Sequence, residues 1–389
     1  MRIALICNYY IYNYGSVLQS YALQRYLQHL GADVDTIAYI DEATSTKQKI
    51  AILFHVKAKR IDVQNLLEKL RISRMIANDK NYAKIISNRK KKFDEFVNSN
   101  FQLTPKCRTI ADVLQAIKNH EYVILSSDQL WGPEDILRGY HTLQFIPREV
   151  KKIAYATSFG VSHVSTYFQK KIRDFIPEFD HVSVREKSGK ELIAQICKRD
   201  VPVLIDPTML LGAEEWRNVA RQASITGLKG EYIFYYSLGK RKDNVEFVKL
   251  LKQEMEAKMV SILHPESYNS PEERIADVYL DGVGPAEFLS LILNAKYIIT
   301  DSFHASVFSI LFRKKFIVID RYYDSDTMSR NSRIETLLQT FHLEERQCKT
   351  HNEQALKVIY KDIDWKNVHI ALERARKQSK NYLISAMRK

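Results

Sequence analysis

Cysteine is scarce in this sequence, and its spacing argues against two classes of small cross-linked protein. The 389 residues contain four cysteines, Cys7, Cys107, Cys197 and Cys348, and no two of them form a CxxC pair. A zinc knuckle or a disulfide framework needs paired or clustered cysteines, so neither is predicted. Isolated cysteines of this kind are typical of proteins from the reducing cytoplasm.

Glycine, proline and long apolar runs are also in short supply. With 12 glycines and 9 prolines, the chain has no low-complexity tract, tandem repeat or Gly/Ser linker. No segment approaches the roughly 18–20 apolar residues of a membrane-spanning helix. The N-terminal MRIALICNYYIYNYG lacks the apolar core and cleavage site of a signal peptide. We therefore expect a cytoplasmic protein that reaches a membrane only peripherally, at the inner face of the plasma membrane.

Motifs for common cofactors are absent as well. The turn after the first strand carries no GxGxxG, so the usual dinucleotide fingerprint is missing. There is no HExxH, no DxD in a convincing loop and no Cys/His cluster. The sequence therefore predicts neither an essential metal nor a bound cofactor.

Apolar residues and positive charge are plentiful. Hydrophobic residues make up 45% of the chain and there are 22 tyrosines, which is ample material for two domains of ordinary size. The net charge is +13, and residues 47–118 hold 17 Lys/Arg against 6 Asp/Glu. This basic block suggests an anionic partner, such as nucleic acid, an acidic membrane surface or a phosphorylated substrate. A solvated helical face is the alternative interpretation.

Strand and helix patterns alternate in two successive series. The first has strands at 2–9, 33–40, 122–127, 152–158, 181–186 and 201–206, with a helix at 13–31 and a helical basic insertion at about 47–119. The second has strands at 232–238, 258–264, 296–300 and 315–320, with helices between them. Two Rossmann-like series predict an α/β, GT-B-like architecture with an interdomain cleft at the carboxyl ends of parallel strands.

The same patterns predict the domain boundaries. We place an N-terminal Rossmann-like domain at 1–212, as the acceptor side, and a C-terminal Rossmann-like domain at 213–365, as the donor side. A closing helix is predicted at 366–389.

A histidine stands where the strand KYIIT ends and the helix of TDSFHASVFSILF begins. His304 would lie in the predicted cleft, and either Asp301 or Ser302 would cap the helix. The N–H groups and dipole of such a helix start favour an anion. We interpret His304 as an acid or base; the alternative is a packed histidine with satisfied ring nitrogens.

Arginines occupy similar positions. Arg185 ends the strand HVSVRE, where a guanidinium could clamp a carboxylate or phosphate. Arg330 and Arg333 stand at the start of a helix in SRNSRIETLL, and at least one of them is expected to bind an anion. The alternatives are an ion pair with Glu186 or a nearby acid for Arg185, and solvated side chains for the other two.

Polar side chains for sugar hydroxyls follow two first-domain strands. SSDQLWGP supplies Asp128 and Gln129, and NYYIYNYG supplies Asn13 and Tyr14. The tyrosines of the second segment could equally be core or rim residues.

Taken in order, several segments resemble the motif series of the polysaccharide pyruvyl transferase family. They span about residues 8–340: NYGSVLQSYALQRYL, SSDQLWGP, IAYATSFG, VSVREKSG, LIDPTMLLGAEEW, GPAEFLSLILNAKYIITDSFHASVFSILF and SRIETLL. The resemblance implies a GT-B-like fold and transfer of a pyruvyl group from phosphoenolpyruvate to a sugar, giving a pyruvate ketal in a cell-envelope polysaccharide such as a capsule or exopolysaccharide.

The resemblance also suggests roles for individual residues. His304 and Arg185 become the catalytic candidates, with Arg333, Arg330 and Ser302 on the donor. Asn13, Tyr14, Asp128 and Gln129 remain acceptor contacts, and phosphoenolpyruvate acts as co-substrate without a cofactor. The sequence departs from the family where better-studied relatives carry an arginine, because that position is Ser302. It also departs at Ser126 and Ala305, where glycine is common.

Three functions stay open at this stage. The first is pyruvyl ketal transfer to a sugar or a lipid-linked oligosaccharide. The second is glycosyl transfer from a nucleotide sugar, which a GT-B-like cleft also supports. The third is a non-catalytic polysaccharide-assembly or nucleic-acid-binding protein, but no aromatic residues are interleaved with the basic block in the manner of a nucleic-acid site. We expect no nucleic-acid partner.

Overall fold

The computed structural model describes residues 1–39, 63–223, 225, 228, 230–239, 241–263, 274–323, 326, 329–349 and 353–388. Residues 47–62 of the predicted basic insertion lie outside this range. The described chain forms two parallel sheets, each in the order expected of a doubly wound α/β unit.

The first sheet has the order β2-β1-β3-β4-β5, and all its pairings are parallel. Its strands are nearly continuous apolar runs, as in the fully buried YVIL of β3, because helices cover both faces of a parallel sheet. The strands are Arg2–Ile6 (β1), Asp33–Thr36 (β2), Tyr122–Leu125 (β3), Lys151–Thr157 (β4) and His181–Val184 (β5).

The helices of this half include three that belong to the basic block. A side-chain oxygen of Asn13 accepts hydrogen bonds from the N–H groups of Gly15 and Ser16 and so caps the first helix. The helices are Tyr14–His29 (α1), Val63–Asn78 (α2), Lys80–Asn100 (α3), Ile110–Ile117 (α4), Pro133–Arg138 (α5), Thr166–Phe175 (α6) and Lys187–Cys197 (α7).

The second sheet has the order β11-β10-β9-β6-β7-β8 and is also parallel throughout. Its strands are Tyr232–Tyr236 (β6), Lys258–Ile262 (β7), Val278–Leu280 (β8), Tyr297–Thr300 (β9), Lys315–Ile319 (β10) and Gln347–Cys348 (β11). The helices are Ala213–Arg221 (α8), Lys242–Met255 (α9), Pro285–Asn294 (α10), Phe303–Leu311 (α11), Ser332–Thr340 (α12), Glu353–Val358 (α13) and Trp365–Ala386 (α14).

Aromatic side chains join the two sheets into one apolar core. The ring of Tyr14 on α1 stacks on Phe288 of α10, with 4.5 Å between their centroids. Trp216 on α8 contacts Tyr21 of α1 at 5.7 Å and Phe308 of α11 at 5.0 Å. Because these contacts are dry and extensive, the starts of α1 and α11 are held face to face.

The last helix returns to the first sheet. The hydroxyl of Tyr382 on α14 donates to the carbonyl of Ala154, and Tyr122 donates to the carbonyl of Met387. The chain therefore ends against the half of the molecule in which it began. The domain boundaries remain a prediction from the sequence.

Three short segments differ from the sequence-based expectation. Residues 201–206 were expected to form a strand, but they make only one isolated bridge, between Val203 and Val184, before turning at Pro207. The edge strands β8 and β11 were not predicted, because two or three residues carry too little periodicity. In the described part of the chain, no helix is long and apolar enough to cross a membrane.

Candidate active site

Each sheet has one point at which its strand order reverses, and the site lies where these two points meet. The order reverses between the neighbouring strands β1 and β3 in the first sheet, and between β6 and β9 in the second. The crevice beyond such a switch point is where open α/β sheets bind ligands. The segments that follow these strands begin at residues 7, 126, 237 and 301, and they contain most of the residues predicted above.

The start of α11 is fixed by two side chains with different tasks. Ser302 is the N-cap, and its hydroxyl accepts a hydrogen bond from Ala305 N at 3.4 Å. Asp301 does not cap the helix. Its carboxylate accepts from the N–H groups of Leu238 and Gly239, at 2.7 and 2.6 Å, and thereby holds the loop after β6. Of the two caps that the sequence allowed, the structure has Ser302.

The ring of His304 lies directly against the backbone of α1. A Cβ atom built on Gly15 would stand 1.9 Å from His304 Nδ1, closer than any side chain can approach. Glycine is therefore required at position 15 for this histidine to reach its place. The contact also brings the N-termini of α1 and α11 together, one from each half of the molecule.

A buried carboxylate faces the other nitrogen of the same ring. Asp206 is fully enclosed, and its Oδ2 lies 3.5 Å from His304 Nε2, which is ion-pair distance but not hydrogen-bond geometry. Oδ1 accepts from the N–H and hydroxyl of Thr208, and Oδ2 accepts from Arg185 and Ser127. Burial by itself would raise the pKa of this carboxyl, but His304, Arg185 and Thr208 outweigh it and hold that pKa well below its usual range.

Arg185 is the buried cation of the first domain. Its Nη1 donates to Asp206 at 2.6 Å, its Nη2 lies 3.7 Å from Asp128, and its guanidinium covers the ring of Phe303 at 4.3 Å. Burial alone would lower the pKa of this guanidinium, but Asp206, Asp128 and Glu186 raise it. Its Nε and Nη2 are buried and make no hydrogen bond, so donors remain for a ligand.

Asp128 stands at the open side of this cluster. Its backbone is in the left-handed region, with φ of 82°, and its side chain keeps 15% of its surface exposed. Its Oδ2 accepts a short hydrogen bond from the hydroxyl of Ser16 on α1. Burial would raise the pKa of this carboxyl, but Arg185, His304, Ser16 and Arg333 together lower it.

A second group of arginines approaches from the other domain. Arg333 is buried at the start of α12, and its Nε makes a long bond of 3.4 Å to the carbonyl of Arg330. Among the described residues, no carboxylate lies within ion-pair distance of Arg333. Burial and the nearby charges of Arg185, Arg321 and Arg330 lower the pKa of Arg333 to about 9, so it is still a cation at pH 7. Of these neighbours, Arg321 is paired with Asp301 at 3.3 Å.

The remaining residues predicted to contact the acceptor lie in different environments. Asn13 caps α1, and Gln129 is half-buried with its side chain against Gly160. Tyr14 does not fit its predicted acceptor contact, because its side chain is buried and its hydroxyl donates to the carbonyl of Val283 at 2.8 Å. It is a packing residue between the two sheets.

Two residues central to this geometry were not singled out from the sequence. Asp206 lies in the segment LIDPTMLL, where the signal was an Asp-Pro turn after an apolar run. Gly15 lies beside the predicted Asn13, and only its contact with His304 reveals its importance.

A small cavity adjoins the cluster on the side away from Asp128. It is about 60 Å³ in volume and lies where Asp206, Phe303, Thr336 and Gln378 meet. That is well below the roughly 150 Å³ of a cavity that holds benzene.

Two solved structures share the fold of this chain. A UDP-GlcNAc 2-epimerase from Neisseria meningitidis, bound to UDP-GlcNAc, aligns over 99% of this chain and 100% of its own, with a TM-score of 0.52 and 11% identity. The epimerase from Rickettsia bellii aligns over 99% of this chain and 96% of its own, with a TM-score of 0.50 and 11% identity. At this identity the likeness shows the fold alone, and it confirms the predicted GT-B-like architecture.

Sequence comparison identifies the family. No curated protein matches the chain. A family model described as polysaccharide pyruvyl transferase matches residues 13–322, which include Asp128, Arg185 and His304, whereas Arg330 and Arg333 follow just after the matched range. Because this match covers most of the chain, the protein belongs to the polysaccharide pyruvyl transferase family and is an enzyme that transfers a pyruvyl group onto a polysaccharide.

Proposed function

We propose that the donor is phosphoenolpyruvate and that the product is a pyruvate ketal on a sugar of a cell-envelope polysaccharide or its lipid-linked precursor. The observation that carries this proposal is the charge of the cleft. Arg333 is a buried cation that has no carboxylate within ion-pair distance among the described residues, and Nε and Nη2 of Arg185 make no hydrogen bond. Unpaired buried cations call for an anionic ligand.

The donor's two anionic groups suit this arrangement. Phosphoenolpyruvate carries a carboxylate and a phosphate on adjacent positions of a three-carbon unit. Arg333 and Arg330 can bind one anion from the second domain, and Arg185, whose charge acts on Arg333, adds another cation close by. The capped start of α11, at Ser302, adds the favourable field of a helix N-terminus. Arginines from both domains thus replace the arginine that relatives carry at position 302.

The chemistry requires proton transfers that His304 can perform. In ketal formation, two sugar hydroxyls bond to C2 of the donor, C3 becomes a methyl group and phosphate leaves. Of the two hydroxyl protons, one ends on C3 and the other on phosphate, so the reaction needs no redox partner. We assign His304 the role of acid or base; its Nε2 lies 3.5 Å from Asp206, a carboxylate that favours a protonated ring, and its Nδ1 lies against Gly15. The nearby arginines stabilise the departing phosphate.

The acceptor would approach the first domain. Asp128, Gln129 and Asn13 follow β1 and β3 at the switch point, and their oxygens and amides suit sugar hydroxyls.

Replacing the histidine tests the proposal. His304→Ala should lower turnover by about 10²–10⁴ if the ring is the acid or base, while the protein stays folded. Ketal formation would be followed by mass spectrometry with phosphoenolpyruvate and a panel of sugar and lipid-linked acceptors. His369→Ala, which removes an exposed histidine of α14, is the matched control. Full activity of folded His304→Ala would remove the ring from the mechanism.

We also propose a weak peripheral contact with anionic lipid at the cytoplasmic membrane face. Lys80, Lys84 and Lys91 of α3 are exposed, and their spacing places them on one side of the helix. Each well-placed cation contributes about 1 kcal/mol of attraction to an anionic leaflet. Two other cations of this helix are not available, because Arg89 is buried and donates to the carbonyl of Leu263, and Lys92 pairs with Glu287.

Sedimentation with anionic liposomes tests this contact. We expect binding that weakens with salt and is lost in the triple variant Lys80→Gln, Lys84→Gln, Lys91→Gln. Neutral liposomes are the control. Salt-independent binding, or full binding by the triple variant, would refute an electrostatic contact through α3.

A further inference from the structure

Three buried or half-buried carboxylates surround Arg185, and they differ in what they offer a substrate. Asp206 has no exposed side-chain surface, and both of its oxygens accept hydrogen bonds from the protein. Glu186 is also fully buried, and burial, opposed by Arg185 and Arg333, raises its pKa. Asp128 alone of the three keeps exposed surface, 15% of its side chain.

The oxygens of Asp128 have capacity left for a substrate. Oδ2 accepts the Ser16 hydroxyl, and Oδ1 has only the guanidinium of Arg185 at 3.7 Å, which is beyond hydrogen-bond length. A carboxylate provides about four acceptor positions in all. Asp128 can therefore accept a hydrogen bond from an acceptor hydroxyl without giving up an existing contact.

We infer that Asp128 is the catalytic base that removes the proton from the attacking sugar hydroxyl, while His304 is the acid that protonates C3 of the donor. This inference rests on the proposed function. Asp128 and His304 then share the proton transfers that a single histidine would otherwise perform. The lowered pKa of Asp128, which the nearby cations maintain against burial, agrees with an ionised base at neutral pH.

The backbone supports this role for Asp128. Its φ of 82° lies in the left-handed region, where glycine, asparagine and aspartate are the tolerated residues. The conformation turns the carboxylate out of β3 and towards Ser16 on α1, where the hydroxyl fixes one oxygen. The other oxygen, Oδ1, accepts no hydrogen bond from the described residues and belongs to the one carboxylate of the three that is partly exposed.

The proton transfers balance with this assignment. The oxygen of one acceptor hydroxyl bonds to C2, Asp128 takes the hydroxyl proton, and protonated His304 gives its proton to C3. The bond between C2 and its phosphate oxygen then breaks, and phosphate leaves with that oxygen and takes the proton held by Asp128. The second hydroxyl then adds to the cationic carbon and returns a proton to His304. Both side chains end as they began.

Chemical rescue distinguishes a base from a residue that only binds. Asp128→Gly suits the left-handed backbone and leaves space beside Ser16 for a small carboxylate. Asp128→Asn also suits the backbone but fills that space. We expect both variants to lower kcat by about 10²–10⁴. Added formate should restore at least about tenfold of the turnover of Asp128→Gly and none of that of Asp128→Asn.

The controls separate this inference from the proposed function. Protection of both variants by phosphoenolpyruvate in a thermal shift assay shows that they are folded and bind the donor. If Asp128→Asn keeps turnover within about threefold of wild type, or if folded, donor-binding Asp128→Gly is not rescued by formate, Asp128 is not the base. A wild-type protein that forms no ketal from phosphoenolpyruvate would instead overturn the proposed function, and the inference with it.

Discussion

Arg185 and Arg333 face one cleft from opposite domains, and both are buried, with 3% and 6% of their surface exposed. The surroundings shift the pKa values of the two guanidinium groups in opposite directions. Asp206, Asp128 and Glu186 raise the pKa of Arg185 against the effect of burial. Burial and other arginines lower the pKa of Arg333 to about 9. One cation is neutralised within the protein, and the other is not.

We interpret this difference as one between a cation that carboxylates largely compensate and a cation that is less fully compensated and therefore gains more from an anionic ligand. A paired buried cation can fix its neighbours, and Arg185 holds Asp206 in place beside His304. An unpaired one costs stability until an anion reaches it. We therefore expect the first domain to be preorganised and the second to gain most from donor binding.

The largest effect on stability should come from removing a carboxylate partner of Arg185. Asp206→Asn removes the carboxylate nearest to Arg185 and leaves that buried cation only the weaker contacts with Asp128 and Glu186, so we expect the free energy of unfolding to fall by about 3–5 kcal/mol. Urea denaturation at pH 7 measures the change. Asp200→Asn is the control, because Asp200 pairs with Lys190 on the surface and is 84% exposed. Its loss should stay below about 1 kcal/mol. Equal losses in the two variants would contradict a special role for the buried pair.

Removing the charge of Arg333 should change the free energy of unfolding in the opposite direction. Arg333→Met removes a buried charge for which burial and neighbouring arginines outweigh the attraction of Glu186, so the free energy of unfolding without ligand should stay the same or rise. The same variant should lose the stabilisation that phosphoenolpyruvate gives the wild type, about 2.7 kcal/mol at one hundred times Kd. Thermal denaturation with and without the donor checks both expectations.

Arg374→Met provides the comparison for this variant, because Arg374 is exposed on α14. It should keep the full protection by the donor. A destabilised Arg333→Met that is still protected would show that Arg333 serves the fold and not the ligand.

A smaller effect should follow from keeping the charge of Arg185 while changing its shape. Lysine cannot bond to Asp206 and Asp128, stack on Phe303 and reach a ligand together. We expect Arg185→Lys to weaken phosphoenolpyruvate binding about tenfold, by the loss of one charge-assisted hydrogen bond. Isothermal titration measures the affinity. An unchanged Kd would make Arg185 a purely structural cation.

Much of this site could be predicted from the sequence, because the ends of the strands can be recognised there. The apolar runs HVSVRE and KYIIT end in polar residues, and parallel strands deliver such ends to one edge. Arg185 and His304 were found in this way although 118 residues separate them in the chain. The N-cap at Ser302 followed from the same local pattern.

What could not be predicted depends on contacts between distant segments. VPVLID has the composition of a strand, but it pairs at one bridge only, and Asp206 acquires its role from Arg185 and His304. Tyr14 lies in a tyrosine-rich segment that could stack on a sugar, but in the fold Phe288 of α10 stacks on its ring. Neither outcome is encoded in the local pattern, because each is decided by which helix packs opposite.

The smallest effect should appear in acid, where the comparison can be sharpened by titration. The pKa of Asp206 is lowered by folding, so the unfolded chain, with a pKa near 3.9, takes up the proton first. The stability that Asp206 contributes is therefore complete above about pH 4 and is lost as pH falls below that value. The gap in unfolding free energy between wild type and Asp206→Asn should shrink by about 1 kcal/mol between pH 4 and pH 3. Urea titrations at each pH measure it, and the gap between wild type and Asp200→Asn should stay nearly constant. A gap for Asp206→Asn that does not change with pH would mean that the carboxylate contributes no charge-dependent stability, and that Arg185 is no better compensated than Arg333.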